Sequence, residues 1–268
     1  MRLIDSHCHL DAPEFDGDRA AALTRARAAG VVAQVVPAVS AASFPALVAL
    51  AQQEPDVHPC YGLHPMYLAE HRDEHLAEVR RFLSSGRAVA VGEFGLDFYV
   101  EGLDADRQRG LFLAQLRIAR EFELPVVLHA RRAVDEVIAT LRRVGGLRGV
   151  VHSYSGSEEQ ARQLYQLGFL LGLGGPVTYE RAQRLRRLVA TMPIEHLLIE
   201  TDSPDQPDSA HRGERNEPAR LGIVVETIAG LRGVAVEEIA AATSANAVHL
   251  FGESVRGLQA CGVLSGES

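Results

Sequence analysis

The chain contains no lysine; all 27 of its basic residues are arginine. The absence is a matter of composition, yet it removes two chemistries. Without lysine there is no Schiff-base nucleophile, and no lysine carbamate to bridge a pair of metal ions. Any bridging ligand must be a carboxylate or water. Cysteine is nearly as scarce: Cys8, Cys60 and Cys261 are odd in number and far apart, which offers no disulfide framework and fits a reducing compartment. No window reaches the ~18 consecutive apolar residues of a membrane span, and the N-terminus lacks a basic start followed by an apolar signal core. These features lead us to expect a cytoplasmic protein with no membrane partner. A basic balance is also missing. The formal charge of −8 argues against a broad cationic surface for non-specific duplex binding, so any contact with nucleic acid must be local.

What is present is a chain of 268 residues, 47% hydrophobic and 6% aromatic, long enough for one large core. Apolar runs rich in Val, Ile and Leu alternate with longer stretches of helical period. The strand candidates are Leu3–Ser6, Val31–Pro37, His58–Gly62, Ala88–Gly92, Val126–His129, Val150–His152, Phe169–Leu173 and Leu197–Thr201. Between them lie amphipathic stretches such as Asp104–Phe122 and Ala133–Val144, and further helices start near Ile223 and Glu237. Parallel strands need a crossover, and a right-handed helical one packs back on the sheet. The rhythm predicts a (β/α)8 barrel, an α/β fold, with a doubly wound open sheet as the alternative. It is read as one domain over 1–268, the last ~12 residues forming a polar tail.

The polar residues fall at the carboxyl ends of these strands: His7 and His9 after the first, Glu93 after the fourth, His129 after the fifth, His152 after the sixth and Asp202 after the eighth. In a barrel those ends share one rim, where catalysis is found. On an extended strand residues i and i+2 share a face, so His7 and His9 are expected to point the same way, with Cys8 packing on the other side. Four imidazoles and two carboxylates suffice for two divalent cations. His7 and His9 would hold one with Asp202, His129 and His152 the second, and Glu93 is the natural bridge. Two ions ~3.5–4 Å apart can share a hydroxide and polarise the electrophile, with Asp202 accepting the proton through its second oxygen. Mg, Mn, Zn, Co and Ni are all candidates, the imidazoles favouring a borderline transition metal. His64, Arg131, Arg212 and Arg215 are candidate contacts to substrate phosphate or carboxylate oxygens. Asp97 and Tyr99 are placed to shape the pocket after Glu93.

The strand ends, read together, resemble the TatD family of metal-dependent hydrolases: DSHCHL (Asp5–Leu10), GLHP (Gly62–Pro65), GEFGLDFY (Gly92–Tyr99), PVVLHAR (Pro125–Arg131), HSYSG (His152–Gly156), ETDSP (Glu200–Pro204) and HRGERNEP (His211–Pro218). The resemblance implies a TIM barrel of the amidohydrolase type, a divalent-metal centre at the six positions above and, as in several members, exonuclease or DNase activity. The chain departs from commoner forms at Ser153-Tyr154, where cysteine and phenylalanine are frequent. It departs again at Asp205-Gln206-Pro207-Asp208, where many members carry tyrosine and leucine and this chain looks more like the YjjV branch. Glu214 stands where lysine is frequent. The added acids weaken capture of a polyanion. The expected function is a metal-dependent phosphodiesterase acting as a 3′–5′ exodeoxyribonuclease on a single-stranded nucleic-acid end. The alternatives are hydrolysis of an amide, ester or lactone in a small anionic substrate, or a non-catalytic metal-binding scaffold. A monomer is favoured.

Overall fold

The computed structural model describes residues 1–257; Cys261 and almost all of the expected polar tail lie outside the described residues. Eight strands are present: β1 (Leu3–Asp5), β2 (Val31–Pro37), β3 (Val57–Tyr61), β4 (Ala90–Asp97), β5 (Val126–Arg131), β6 (Gly149–Val151), β7 (Phe169–Leu173) and β8 (Leu197–Ile199). They pair in sequence order, every pairing parallel. Beyond the ladder, Ser6 N donates to Ile199 O at 3.0 Å and joins the last strand to the first. That bond decides between an open sheet and a barrel in favour of the (β/α)8 TIM barrel. The helices are α1 (Arg19–Ala28), α2 (Phe44–Gln53), α3 (His75–Leu83), α4 (Ala105–Glu121), α5 (Val134–Val144), α6 (Glu158–Gln166), α7 (Gln183–Thr191), α8 (Leu221–Arg232) and α9 (Val236–Phe251).

Strand alternation sorts the core into two layers. Ile4, Val35, Cys60, Ala90, Val127, Val150, Leu170 and Leu198, one from each strand, fill the barrel interior, and Leu250, Phe251 and Val255 close it from below. Their neighbours Leu3, Val36, Val126, Val151, Leu171 and Leu197 face outward onto the helices. Each fully buried aliphatic side chain contributes ~1.5–3 kcal/mol. The inward parity also sets the site, because two residues beyond Val127 and Val150 come His129 and His152.

The helices are ended by local chemistry. A capping box of Ser157 and Gln160 opens α6, each side chain taking the other's backbone N–H. Asp135 and Glu136 at the start of α5 and Arg142 and Arg143 at its end complement the helix dipole.

Two strand boundaries differ from the sequence reading. β1 ends at Asp5, so His7 and His9 lie on a bend rather than on one face of a strand. β4 runs on to Asp97, which puts Glu93 inside the strand instead of after it. The register between β4 and β5 slips between Val91 and Phe94. Gly95 lets the strands approach there: its φ is 155°, and a Cβ would lie 2.0 Å from the His129 carbonyl oxygen.

Candidate metal centre

Asp5, fully buried, fastens the end of β1 to the segment after β8. Its carboxylate accepts from Thr201 N (3.0 Å), Thr201 Oγ1 (2.6 Å) and His7 N (3.3 Å). Burial pushes its carboxyl up to about 7 against those hydrogen bonds. Two backbone bonds complete the seam, Asp202 N to His7 O (2.9 Å) and His9 N to Ser203 O (2.7 Å). The ring of His9 is oriented by Nδ1–H donating to the Pro37 carbonyl (3.1 Å), which turns Nε2 inward. Cys8, between the two histidines, is buried in the outer apolar layer.

Six side chains from five strands and the segments that follow them thereby converge. Glu93 lies at their centre with its two oxygens turned to different groups. Oε2 is 3.2 Å from His7 Nε2 and 3.5 Å from His9 Nε2. Oε1 is 2.7 Å from His152 Nε2, 3.2 Å from His129 Nδ1 and 3.0 Å from His64 Nε2. Asp202 Oδ1 joins the first group, 3.4 Å from His7 Nε2 and 3.7 Å from His9 Nε2. The nitrogens of His7 and His9 are 3.2 Å apart, and those of His129 and His152 3.3 Å. Donors around a tetrahedral ion with bonds of ~2.1 Å are separated by ~3.4 Å, so both groups have the spacing of a ligand set. Glu93 Oε2 is buried and has no hydrogen-bond partner, an orphan that a cation would satisfy.

The outer contacts follow the pattern of metal sites, in which the far ring nitrogen of a ligand histidine is fixed by a carboxylate or carbonyl. His129 Nε2 is held by Asp97 Oδ2 at 2.8 Å. His152 Nδ1 faces Glu200 Oε1 at 3.7 Å. Glu200 is fully buried, and it packs against Gly172, where a Cβ would come within 2.0 Å of Glu200 Oε2 and displace it. Burial opposes charge on His9, but Glu93 and Asp202 outweigh it and raise His9 to about 9. Burial likewise opposes charge on His129 and His152, and their carboxylate neighbours again raise both. Burial resists ionisation of Glu93, yet His152, His64 and His7 hold it well below the usual carboxylate range. Burial lifts Asp202 to about 6 and lowers His64 to about 4. Without cations, protons supply the positive charge these carboxylates demand.

The expected substrate contacts divide. His64 lies within the cluster itself, on Glu93, rather than out on a turn. Arg131 lines a cavity of about 730 Å³ whose floor is the cluster. The structure brings neither Arg212 nor Arg215 there. Arg212 is exposed on the loop after β8, while Arg215 grips Asp18 (2.6 and 2.9 Å) and the Glu14 carbonyl (2.7 Å) and lies over the Phe15 ring. Asp202 also differs from expectation. Its second oxygen, instead of facing open cavity, accepts a hydrogen bond from Gln206 Nε2, which also contacts Ser153 Oγ. Asp5, Glu200, Ser153 and Gln206 have no role in the sequence reading; the signal there is that Asp5 and Glu200 stand in the DSHCHL and ETDSP motifs and that Ser153 and Gln206 depart from commoner forms.

A parallel barrel whose carboxyl-terminal rim gathers two adjoining donor sets around one carboxylate defines the class of metal-dependent hydrolases. The sequence profile of the family described as TatD related DNase matches residues 4–252. The chain is 41% identical to the uncharacterized metal-dependent hydrolase YjjV of Escherichia coli, over 93% of this chain and 98% of that protein. It is 34% identical to YabD of Bacillus subtilis, which carries the same description, again over 93% of this chain and 98% of the relative. The crystal structure of E. coli YjjV superposes with a TM-score of 0.90 at 40% identity, covering 93% of this chain and 98% of that one. This chain belongs to the TatD family and is a metal-dependent hydrolase.

Proposed function

We propose that the chain is a 3′–5′ exodeoxyribonuclease that removes nucleotides from a single-stranded end. The observation that carries this reading is Glu93, whose two oxygens serve two separate donor sets at the floor of a cavity. Two divalent cations would be held there, one by His7, His9 and Asp202, the other by His129 and His152 with His64 in reach, Glu93 bridging. Such cations lower the pKa of a water and polarise a phosphoryl oxygen.

The chain's own groups perform the rest. Asp202, beside His7 and His9, takes the proton of the attacking water. Asp97 and the Pro37 carbonyl keep His129 and His9 from rotating. Arg131 on the cavity wall meets a phosphate oxygen of the bound strand. Because His7 and Glu93 are buried at the cavity floor, a strand end reaches them where intact duplex backbone does not.

The test is nucleotide release from single-stranded DNA after chelation and re-addition of Mg, Mn or Zn, with Glu93→Ala and Asp202→Asn in parallel. Metal-dependent release that both variants abolish supports the reading. Equal cleavage of a circular single strand would contradict the exonucleolytic mode.

One observation favours a second reading. Asp11, Glu14 and Asp205 line the same mouth as Arg131, which suits a small substrate of low charge, such as an amide, ester or lactone, better than a long polyanion. Comparing bis(p-nitrophenyl) phosphate with acyl amides and esters separates the two. Measurable turnover on any of them excludes the scaffold reading.

A further inference from the structure

The mouth of the cavity is unevenly charged, and its cationic side is built in an unusual way. Twelve of the 27 arginines face carboxylates, as Arg27 does with Asp56 and Glu54, and Arg109 with Glu136. Arg131 and Arg132, at the end of β5, face an aromatic ring instead. Their guanidiniums lie 3.7 and 4.6 Å from the centroid of Tyr99, which is itself 47% exposed. A carboxylate would hold an arginine by neutralising it, whereas a cation–π contact holds it and leaves its charge and its N–H edge for another group. Among the described residues, the exposed large apolar side chains are Met1, Met66, Tyr67 and Tyr99. Of these, Met66 and Tyr67 line the first cavity together with Glu14 and Asp205.

A second groove of about 610 Å³ lies beside the cavity and shares Ala130 and Ser155 with it as lining residues. Arg132 and Arg184 line it, and Arg184 Nη2 is anchored on the Ser155 carbonyl at 2.6 Å. Its two acids are already engaged: Glu136 accepts from Arg109, and Asp135 accepts from Gln160 at 2.7 Å. Asp11, Glu14 and Asp205 lie in the first cavity and are absent from the second. A polyanion leaving the metal centre is therefore repelled from one side and drawn to the other.

We propose that this groove is the track of a single nucleic-acid strand. With the terminal nucleotide at the metal cluster, the preceding phosphates run over Arg131, Arg132 and Arg184, beside the exposed ring of Tyr99. Tyr99 is a positioning residue that presents two arginines to the backbone. An exposed aromatic ring beside guanidiniums is recognition chemistry of single strands, tolerant of sequence because every base has a π face. The proposal rests on the nuclease reading above and adds where the rest of the strand lies.

The test uses metal-loaded protein and fluorescent oligothymidylates of two and eight nucleotides with cleavage-resistant phosphorothioate linkages, followed by anisotropy at several salt concentrations. The eight-mer is expected to bind the wild type more tightly than the two-mer. Arg132→Ala and Arg184→Ala should each reduce the slope of log affinity against log salt by about 0.7. Tyr99→Leu should weaken eight-mer binding about tenfold, and Tyr99→Phe should restore it. An eight-mer that binds no better than a two-mer, or variants that keep the full salt slope, would overturn the track. Nucleotide release from ordinary oligonucleotides is scored separately. Release without length dependence removes the track and leaves the nuclease, while length-dependent binding without release removes the nuclease and leaves the track.

Discussion

Ser153 and Gln206 form a single hydrogen-bonded unit: Ser153 Oγ lies 2.8 Å from Gln206 Nε2 and 3.0 Å from Oε1, and the same Nε2 donates to Asp202. Both positions depart from commoner TatD sequences, and in sequence they read as separate changes. In the fold they are one arrangement that holds the carboxylate assigned to proton transfer. A hydrogen bond to a charged acceptor contributes roughly 1.5–3 kcal/mol.

Removing that donor should be felt at Asp202 itself. Gln206→Leu is expected to lower kcat about tenfold on bis(p-nitrophenyl) phosphate. A donor to the ionised form lowers a carboxyl pKa, so its loss should move the acid limb of the pH–rate profile to higher pH. Ser153→Ala should shift the limb less. A profile for Gln206→Leu that overlays the wild type would show that Gln206 does not act on Asp202.

Asp5 gives a prediction about stability. Its carboxyl is raised by burial to about 7, against a value near 3.9 in an unfolded chain. The folded state therefore binds the proton more tightly, and the stabilisation is complete below about pH 4 and lost as pH rises through about 7. Asp5→Asn, which resembles the protonated acid, should flatten the melting temperature of the metal-free protein across that window. Asp5→Ala, which strands the Thr201 donors, should destabilise by about 3 kcal/mol below about pH 4. A pH dependence unchanged in Asp5→Asn would rule out this role.

Metal uptake should release protons. His9 is raised to about 9, and His129 and His152 are raised as well, whereas a ligand imidazole must be neutral. Cation affinity is thus expected to climb with pH up to about 9. Titration calorimetry in two buffers of different ionisation enthalpy should give different apparent heats; identical heats would mean that no protons are displaced.

Arg215 belongs to the frame rather than the mouth. Its bonds to Asp18 and the Glu14 carbonyl tie the loop after β8 to the start of α1. Arg215→Ala should lower the melting temperature with KM unchanged for both oligonucleotide and small phosphodiester. A raised KM would return Arg215 to the substrate.

The sequence reading located the barrel and its rim because both follow from short-range pattern. Val127 and Val150 face inward, so His129 and His152, two residues on, must do so as well. His7 and His9 converge, but for a different reason than strand alternation: β1 stops at Asp5, and the following bend brings their nitrogens within 3.2 Å. Glu93 was displaced from its expected place after β4 because a register slip carries the strand onward to Asp97. The partners of Gln206 and Arg215 were beyond reach of pattern. Ser153 is 53 positions from the former and Asp18 is 197 from the latter, and only closure of the barrel brings each pair together.

The most direct measurement of the central claim is anomalous diffraction from crystals soaked with Mn or Zn. The account predicts two cations about 3.5–4 Å apart, one Glu93 oxygen on each. A single cation, or two that Glu93 does not bridge, would contradict it.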